Sequence, residues 1–79
     1  MSKIKYVFDA TAFSKVLRYK RLIENDFTTR QASEQIGISA PTLSRLENKG
    51  MPDALTLFLC CRWLNENSHN FFTLHNEQD

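Results

Sequence analysis

Chain-breaking residues are scarce: two glycines and two prolines in 79 residues. So few turn formers argue against a sandwich of many short strands and favour helices. Cysteine is equally scarce, and Cys60 and Cys61 are adjacent, which excludes a disulfide framework and fits a reducing, cytoplasmic setting. No apolar run is long enough to span a bilayer. No apolar stretch follows a basic start, so no secretory signal is expected. His69 and His75 lack helical spacing and have no cysteine ligand near them, so no metal site is expected. There is no glycine-rich phosphate loop and no convincing catalytic set, so neither an enzyme nor a cofactor is expected. A chain this short makes one domain with one core, marginal without good packing or a partner subunit.

Charge of one sign is also missing overall, the net value being +1. Its distribution is uneven. Residues 1 to 50 hold nine basic and five acidic groups, a net +4. Residues 51 to 79 hold one basic and four acidic groups, a net −3. A basic front half is a plausible footprint for a polyanion, although small proteins also show such asymmetry by chance.

What is present reads as short helices. In residues 3 to 8, Ile4, Tyr6 and Phe8 alternate as on a strand, which needs a partner strand or serves as an arm. A helix is expected from a cap at Asp9 or Thr11, with Ala10, Phe13, Leu17 and Arg21 on one stripe and Val16 and Ile23 beside it. Residues 24 to 27 form a polar turn anchored by Phe27. Thr28 to Gln31 has the form of a capping box. Ala32, Ser33 and Ile36 follow on the inward side, and Gly37 ends this helix. Ser39 caps the next helix, with Pro41 in its first turn, and Asn48-Lys49-Gly50 breaks it. Pro52-Asp53 opens a fourth helix. Its inner stripe is Ala54, Leu57, Cys60, Cys61 and Leu64. Its other side carries Leu55, Phe58, Leu59 and Trp63, so burial on most faces is expected. Ser68 is a cap for a last short helix with Phe71, Phe72 and Leu74, and residues 75 to 79 read as a flexible tail. The division is an arm or strand at 1–8, a helical domain at 9–74 and the tail at 75–79.

The informative unit is the pair of short helices joined by Gly37-Ile38-Ser39. Two amphipathic helices with a glycine-containing turn make the helix-turn-helix pattern, whose second helix enters the major groove while the first crosses the backbone. On a helical wheel, Leu43, Leu46 and Glu47 fall on the core side. Pro41, Arg45 and Asn48 fall opposite, flanked by Thr42 and Ser44. Small residues let a helix approach the groove floor, and Arg45 is the one side chain there that can reach a guanine edge. Taken alone, the same face also fits a solvated surface helix.

The run from Leu17 to Leu64 resembles the lambda repressor and Cro family of XRE-type helix-turn-helix domains. Leu17-Arg18-Tyr19-Lys20-Arg21 is similar to its first-helix signature. Thr28 to Ser33 is similar to the opening of its second helix, and Ile36-Gly37-Ile38-Ser39 to its turn. Thr42 to Asn48 is similar to its recognition helix, and Met51-Pro52-Asp53 with Leu57 and Leu64 to its fourth helix. The fold so implied is all-α: a compact four- to five-helix lambda-repressor-like domain with an N-terminal extended arm or short strand. The DNA-binding set implied is Thr28, Thr29, Arg30, Ala40, Pro41, Thr42, Ser44, Arg45, Asn48 and Lys49. The resemblance also implies a partly buried ion pair between Arg21 and Glu47, both on inward stripes where neither charge is tolerated alone. Three departures stand out. Ser33 replaces the usual alanine, one extra residue lies between Arg21 and Thr28, and Lys49-Gly50 stands where the family has glycine directly after asparagine.

Two functions are compatible with these residues. The first is a sequence-specific regulator of double-stranded DNA, a repressor of phage, mobile-element or antitoxin type. It would be cytoplasmic and nucleoid-associated, and would act as a homodimer on an inverted repeat, with a toxin or antirepressor as a compatible protein partner and no membrane partner. The second is a protein-interaction module on the same fold, which the apolar side of the fourth helix favours. A dimer seam on the arm and one on the C-terminal aromatics are equally open. Trp63 and the Phe71-Phe72 pair read as packing, as do Cys60 and Cys61.

Overall fold

The computed structural model describes the backbone of residues 2–78 and the side chains of residues 5–75. Strand β1 (Ser2–Phe8) leads into helix α1 (Ala10–Tyr19), a wide π-type turn (Lys20–Glu24), α2 (Thr29–Ile36), α3 (Ala40–Glu47) and α4 (Ala54–Leu64). A 3₁₀ turn (Ser68–Phe71) and strand β2 (Phe72–Gln78) complete the chain.

Local chemistry sets the helix limits. The Asp9 carboxylate accepts from the Ala12 N–H at 2.9 Å, so Asp9 rather than Thr11 is the cap. The Thr28 hydroxyl accepts from the Gln31 N–H at 3.1 Å, and the Gln31 side chain accepts from the Thr28 N–H at 2.9 Å, a complete capping box. Ser39 accepts from the Thr42 N–H at 3.2 Å. Asp53 accepts from the Thr56 N–H at 2.8 Å, which holds its carboxyl below the usual carboxylate range. Gly37 ends α2 at φ +97°, a left-handed conformation cheap for glycine.

The core gathers Phe13 and Leu17 of α1, Ala32 and Ile36 of α2, Leu43 and Leu46 of α3, Cys60, Cys61 and Leu64 of α4, and Phe71. Burial, with Cys61 alongside, pushes the Cys60 thiol up to about 12, so it stays a protonated packing group. Ser33 is buried, and its hydroxyl donates to the Arg30 carbonyl at 2.8 Å, so the missing alanine leaves no orphaned group.

The C-terminal segment corrects the sequence reading. The expected last helix over Ser68 to Leu74 is one 3₁₀ turn followed by β2, which pairs antiparallel with β1 in the register Phe8↔Phe72, Tyr6↔Leu74 and Lys5↔His75. Residues 75 to 78, expected as a tail, lie in this strand; Asp79 and the Ile4 side chain lie outside the described residues. The partner of the N-terminal strand is therefore the chain's own C-terminal segment. The ribbon is fixed at its base, where the Asp9 N–H donates to the Phe71 carbonyl at 2.7 Å. Rings of Phe8, Phe13, Phe71 and Phe72 meet edge to face there, with centroids 5.1 to 5.4 Å apart. Further out the ribbon leaves the core: Tyr6 is 69% exposed and Leu74 55%.

Two further expectations shift. Helix α4 is apolar all round but not buried all round: Ala54, Leu55 and Phe58 are exposed, while Leu57, Leu59 and Trp63 are half-buried. Ile23, placed beside the inward stripe, is exposed, because the π turn widens the helix and rotates the residues after Tyr19 off the 3.6-residue stripe. Asn25 closes that turn, with both its backbone and side-chain N–H groups donating to the Lys20 carbonyl.

The end of α3 is a Schellman turn in which Lys49 takes the left-handed position, φ +67°. Gly50 N–H donates to Arg45 O at 2.8 Å and Lys49 N–H to Leu46 O at 3.3 Å. A Cβ at Gly50 would sit 2.7 Å from the Arg45 carbonyl oxygen. Glycine is thus required for close approach at 50, while the conformation that favours glycine falls on a lysine at 49. Lys49→Gly should raise stability by about 1 kcal/mol, and Gly50→Ala should lower it by about 1–3 kcal/mol. Urea unfolding curves of the two variants check both signs; an unchanged midpoint for Gly50→Ala would contradict the close approach.

Candidate nucleic-acid interface

Helix α3 presents the face that the wheel assigns. Leu43, Leu46 and Glu47 are buried; Pro41, Ser44, Arg45 and Asn48 are exposed, and Ala40 and Thr42 are half-buried. Ser39 caps the helix and Pro41 lies in its first turn. The hydroxyl of Ser39 donates to that of Thr42 at 2.8 Å, and Arg45 Nη2 reaches Thr42 Oγ1 at 3.5 Å. Arg45 therefore lies along the helix with its remaining donors turned to solvent. The side-chain amide of Asn48 donates to the Ser44 carbonyl at 2.8 Å, which occupies one of its two donors.

The amino end of α2 supplies Thr28, Thr29 and Arg30. Thr28 and Arg30 are exposed and Thr29 is half-buried. The capping box consumes the Gln31 N–H, and the amides of Thr29 and Arg30 remain in the first turn, where free N–H groups and the helix dipole favour an anion. Lys49 and Asn48 are exposed at the other end of the unit, after the last turn of α3.

Arg21 and Glu47 tie this surface to the π turn that continues α1. Arg21 Nε donates to Glu47 Oε2 and Nη2 to Oε1, each at 2.7 Å, a two-point fork. A third donor, Nη1, reaches the Phe27 carbonyl at 3.2 Å. The side chains are 13% and 5% exposed. The bonds to Glu47 raise the Arg21 guanidinium further above its ordinary range against the opposing effect of burial.

Two cations that the sequence reading left aside lie beside this pair. Arg18 Nε is 3.9 Å from Glu47 Oε1, yet its side chain stays 56% exposed. Lys15, one turn earlier, joins it along a cleft between α1 and the carboxyl end of α3 that Asn48 and Lys49 close. Their i, i+3 spacing on α1 is visible in sequence, but their meeting with Lys49 depends on how α1 packs on α3. Among the described residues, no three His, Cys, Asp or Glu side chains group to hold a metal ion, and no helix is long and apolar enough to cross a membrane.

A helix-turn-helix family model matches residues 17–68. The chain thus belongs to the lambda repressor/Cro-like, XRE-type helix-turn-helix family, and it is a DNA-binding helix-turn-helix regulator. That family is generally without catalytic activity. No curated protein and no solved structure matches this chain.

Removing one partner of the Arg21–Glu47 pair leaves a charge in a mostly buried place without its two-point partner, with only Arg18 at 3.9 Å beside Glu47 when Arg21 is the one removed. Glu47→Ala or Arg21→Ala should each cost about 3–5 kcal/mol of stability, whereas replacing both with well-packed apolar residues should cost far less. Denaturant midpoints of the two single variants and the double variant give the coupling directly. Additive losses would contradict a shared pair.

Proposed function

We propose that this protein is a repressor that binds an inverted-repeat operator in double-stranded DNA as a two-fold dimer, with α3 in the major groove. It would work in the cytoplasm on chromosomal, phage or mobile-element DNA. The observation that carries the reading is the outer face of α3: small side chains along its length with one long donor, Arg45, exposed and laid along the helix. In this assignment Arg45 reads a guanine edge, while Ala40, Pro41, Thr42 and Ser44 line the close approach. Thr28, Thr29, Arg30, Asn48 and Lys49 hold the backbone phosphates and set the register. Arg45→Ala should cost about 1–3 kcal/mol on the best site selected from random duplexes and relax preference at one position. An equal loss on every sequence would make Arg45 a phosphate contact only.

One recognition helix contacts too few base pairs to select a site in a genome, and two half-sites one helical turn apart supply the rest. The ribbon and α4 offer apolar surface for such a pairing: Tyr6 opposite Leu74 on one, Leu55 and Phe58 on the other. Sedimentation at micromolar concentration should give twice the 9.2 kDa chain mass, with a symmetric footprint on selected DNA. A monomer that protects a single half-site would contradict the dimer.

The exposed Leu55 and Phe58 also favour a second reading, in which the fold is a protein-interaction module and a toxin or antirepressor covers α4. Steep loss of DNA affinity with rising salt separates the two, because phosphate-dominated binding requires it.

A further inference from the structure

We propose that two copies of this chain join along the outer edge of β2, their ribbons forming one four-stranded antiparallel sheet round a two-fold axis through Leu74. The proposal rests on the dimer reading above and names its seam.

The ribbon is only partly supported by its own chain. Tyr6 and Leu74 face each other across it and lie on the same face as Phe8 and Phe72, because alternate residues of a strand share a face. At the base that face meets the core through Phe8. Further out it continues uncovered, with Tyr6 69% and Leu74 55% exposed. A lone two-stranded ribbon is marginal in water, and further strands sharing an apolar face make it stable.

The main chain of β2 is open on the same side of the ribbon. The bond from the Asp9 N–H to the Phe71 carbonyl, 2.7 Å, continues the register of Val7↔Thr73 and Lys5↔His75. Only alternate pairs of an antiparallel ladder exchange hydrogen bonds. The odd-numbered residues therefore bond across the ribbon, and Leu74 and Asn76 turn their N–H and C=O groups to the outer edge. The Phe72 N–H turns back to the His69 carbonyl, which leaves the Phe72 carbonyl on that edge. Such an edge is a template for another strand.

Charge and symmetry select a second copy as that strand. Strand β1 carries Lys3 and Lys5, and lysines on an edge oppose pairing with the same edge of another copy. From Phe72 to Asn76, β2 has no lysine, arginine or acid. A β1-to-β2 contact between copies is head-to-tail and leaves an edge for the next chain, whereas β2 on β2 closes. With the axis through Leu74, Leu74 faces Leu74 of the second copy and Phe72 faces its Asn76. Tyr6, Leu74 and the second copy's Leu74 and Tyr6 then make one apolar row across the sheet. The Leu74 N–H donates to the second copy's Leu74 carbonyl and the Asn76 N–H to its Phe72 carbonyl, and symmetry repeats both bonds. Helix α4 also exposes Leu55 and Phe58, but it offers apolar area without an open main-chain edge.

The test is sedimentation of the full chain at micromolar concentration without DNA. Leu74→Lys and Leu74→Glu should each give a monomer, because like charges meet at the axis. An equal mixture of the two should recover a mixed dimer. Asn76→Pro removes an N–H that only the second copy uses, and should weaken the dimer about tenfold to a hundredfold, one bond being lost on each side of the axis. Ile4→Pro places the same ring directly opposite, on the β1 edge, and should leave the dimer intact. Cooperative melts by circular dichroism show that each variant still folds. Dimers kept by both charged variants alone, the absence of a mixed dimer, or equal weakening by Asn76→Pro and Ile4→Pro would overturn the seam while leaving the dimer reading in place. A monomeric wild-type protein would overturn the seam and that reading together.

Discussion

Arg21 and Glu47 sit 26 residues apart in the chain, and their two-point fork joins the π turn that continues α1 to the carboxyl end of α3. A planar guanidinium facing a planar carboxylate fixes both distance and rotation, which apolar packing alone leaves looser. With Glu47 held, Leu43 and Leu46 face the core, and the opposite face of α3 has nowhere to point but outward. The third donor of Arg21 holds the Phe27 carbonyl and so places the entry to α2. One side chain therefore contacts both the carboxyl end of α3 and the entry to α2. Such a pair adds little net stability against an apolar alternative, because desolvation offsets its attraction. Its contacts link the π turn after α1, the carboxyl end of α3 and the entry to α2.

The parts of the fold legible in sequence are those decided within a few residues. Thr28 with Gln31, Ser39 with Pro41, and Gly37 each act inside one turn, and α2 begins and ends, and α3 begins, where those residues set them. The wheel over Leu43 to Asn48 carries through to burial for the same reason. The parts that escaped depend on distant partners. Phe71, Phe72 and Leu74 have the spacing of a short helix, yet β1 supplies a strand edge from the other end of the chain, and β2 forms on it. The need of the N-terminal strand for a partner was readable; the partner's place in the chain was not.

The candidate interface divides the same way. Exposure of Arg45 follows from its position on one helix, but Lys15 and Arg18 come beside Asn48 and Lys49 only when α1 packs against the end of α3. The π turn is intermediate: the extra residue between Arg21 and Thr28 is countable in sequence, while the widened turn, with Ile23 turned to solvent, is a three-dimensional outcome. Lys49 likewise reads in sequence as a displaced glycine, and its left-handed backbone appears only in the folded turn. Where local preference and structure disagree, as at Lys49, the disagreement falls at the edge of the proposed binding surface, where such conflicts concentrate.

The central claim is that DNA lies against the outer face of α3 and the amino end of α2, in an orientation fixed by the Arg21–Glu47 fork. The most direct measurement is a two-dimensional amide NMR titration of the full chain with a duplex carrying its selected site. The account predicts that perturbed amides cluster at Thr28 to Arg30 and from Ala40 to Lys49, with Leu55 and Phe58 at saturating DNA unmoved from their positions in the free protein. Perturbations concentrated on Leu55 and Phe58, with the amides of α3 unchanged, would contradict it.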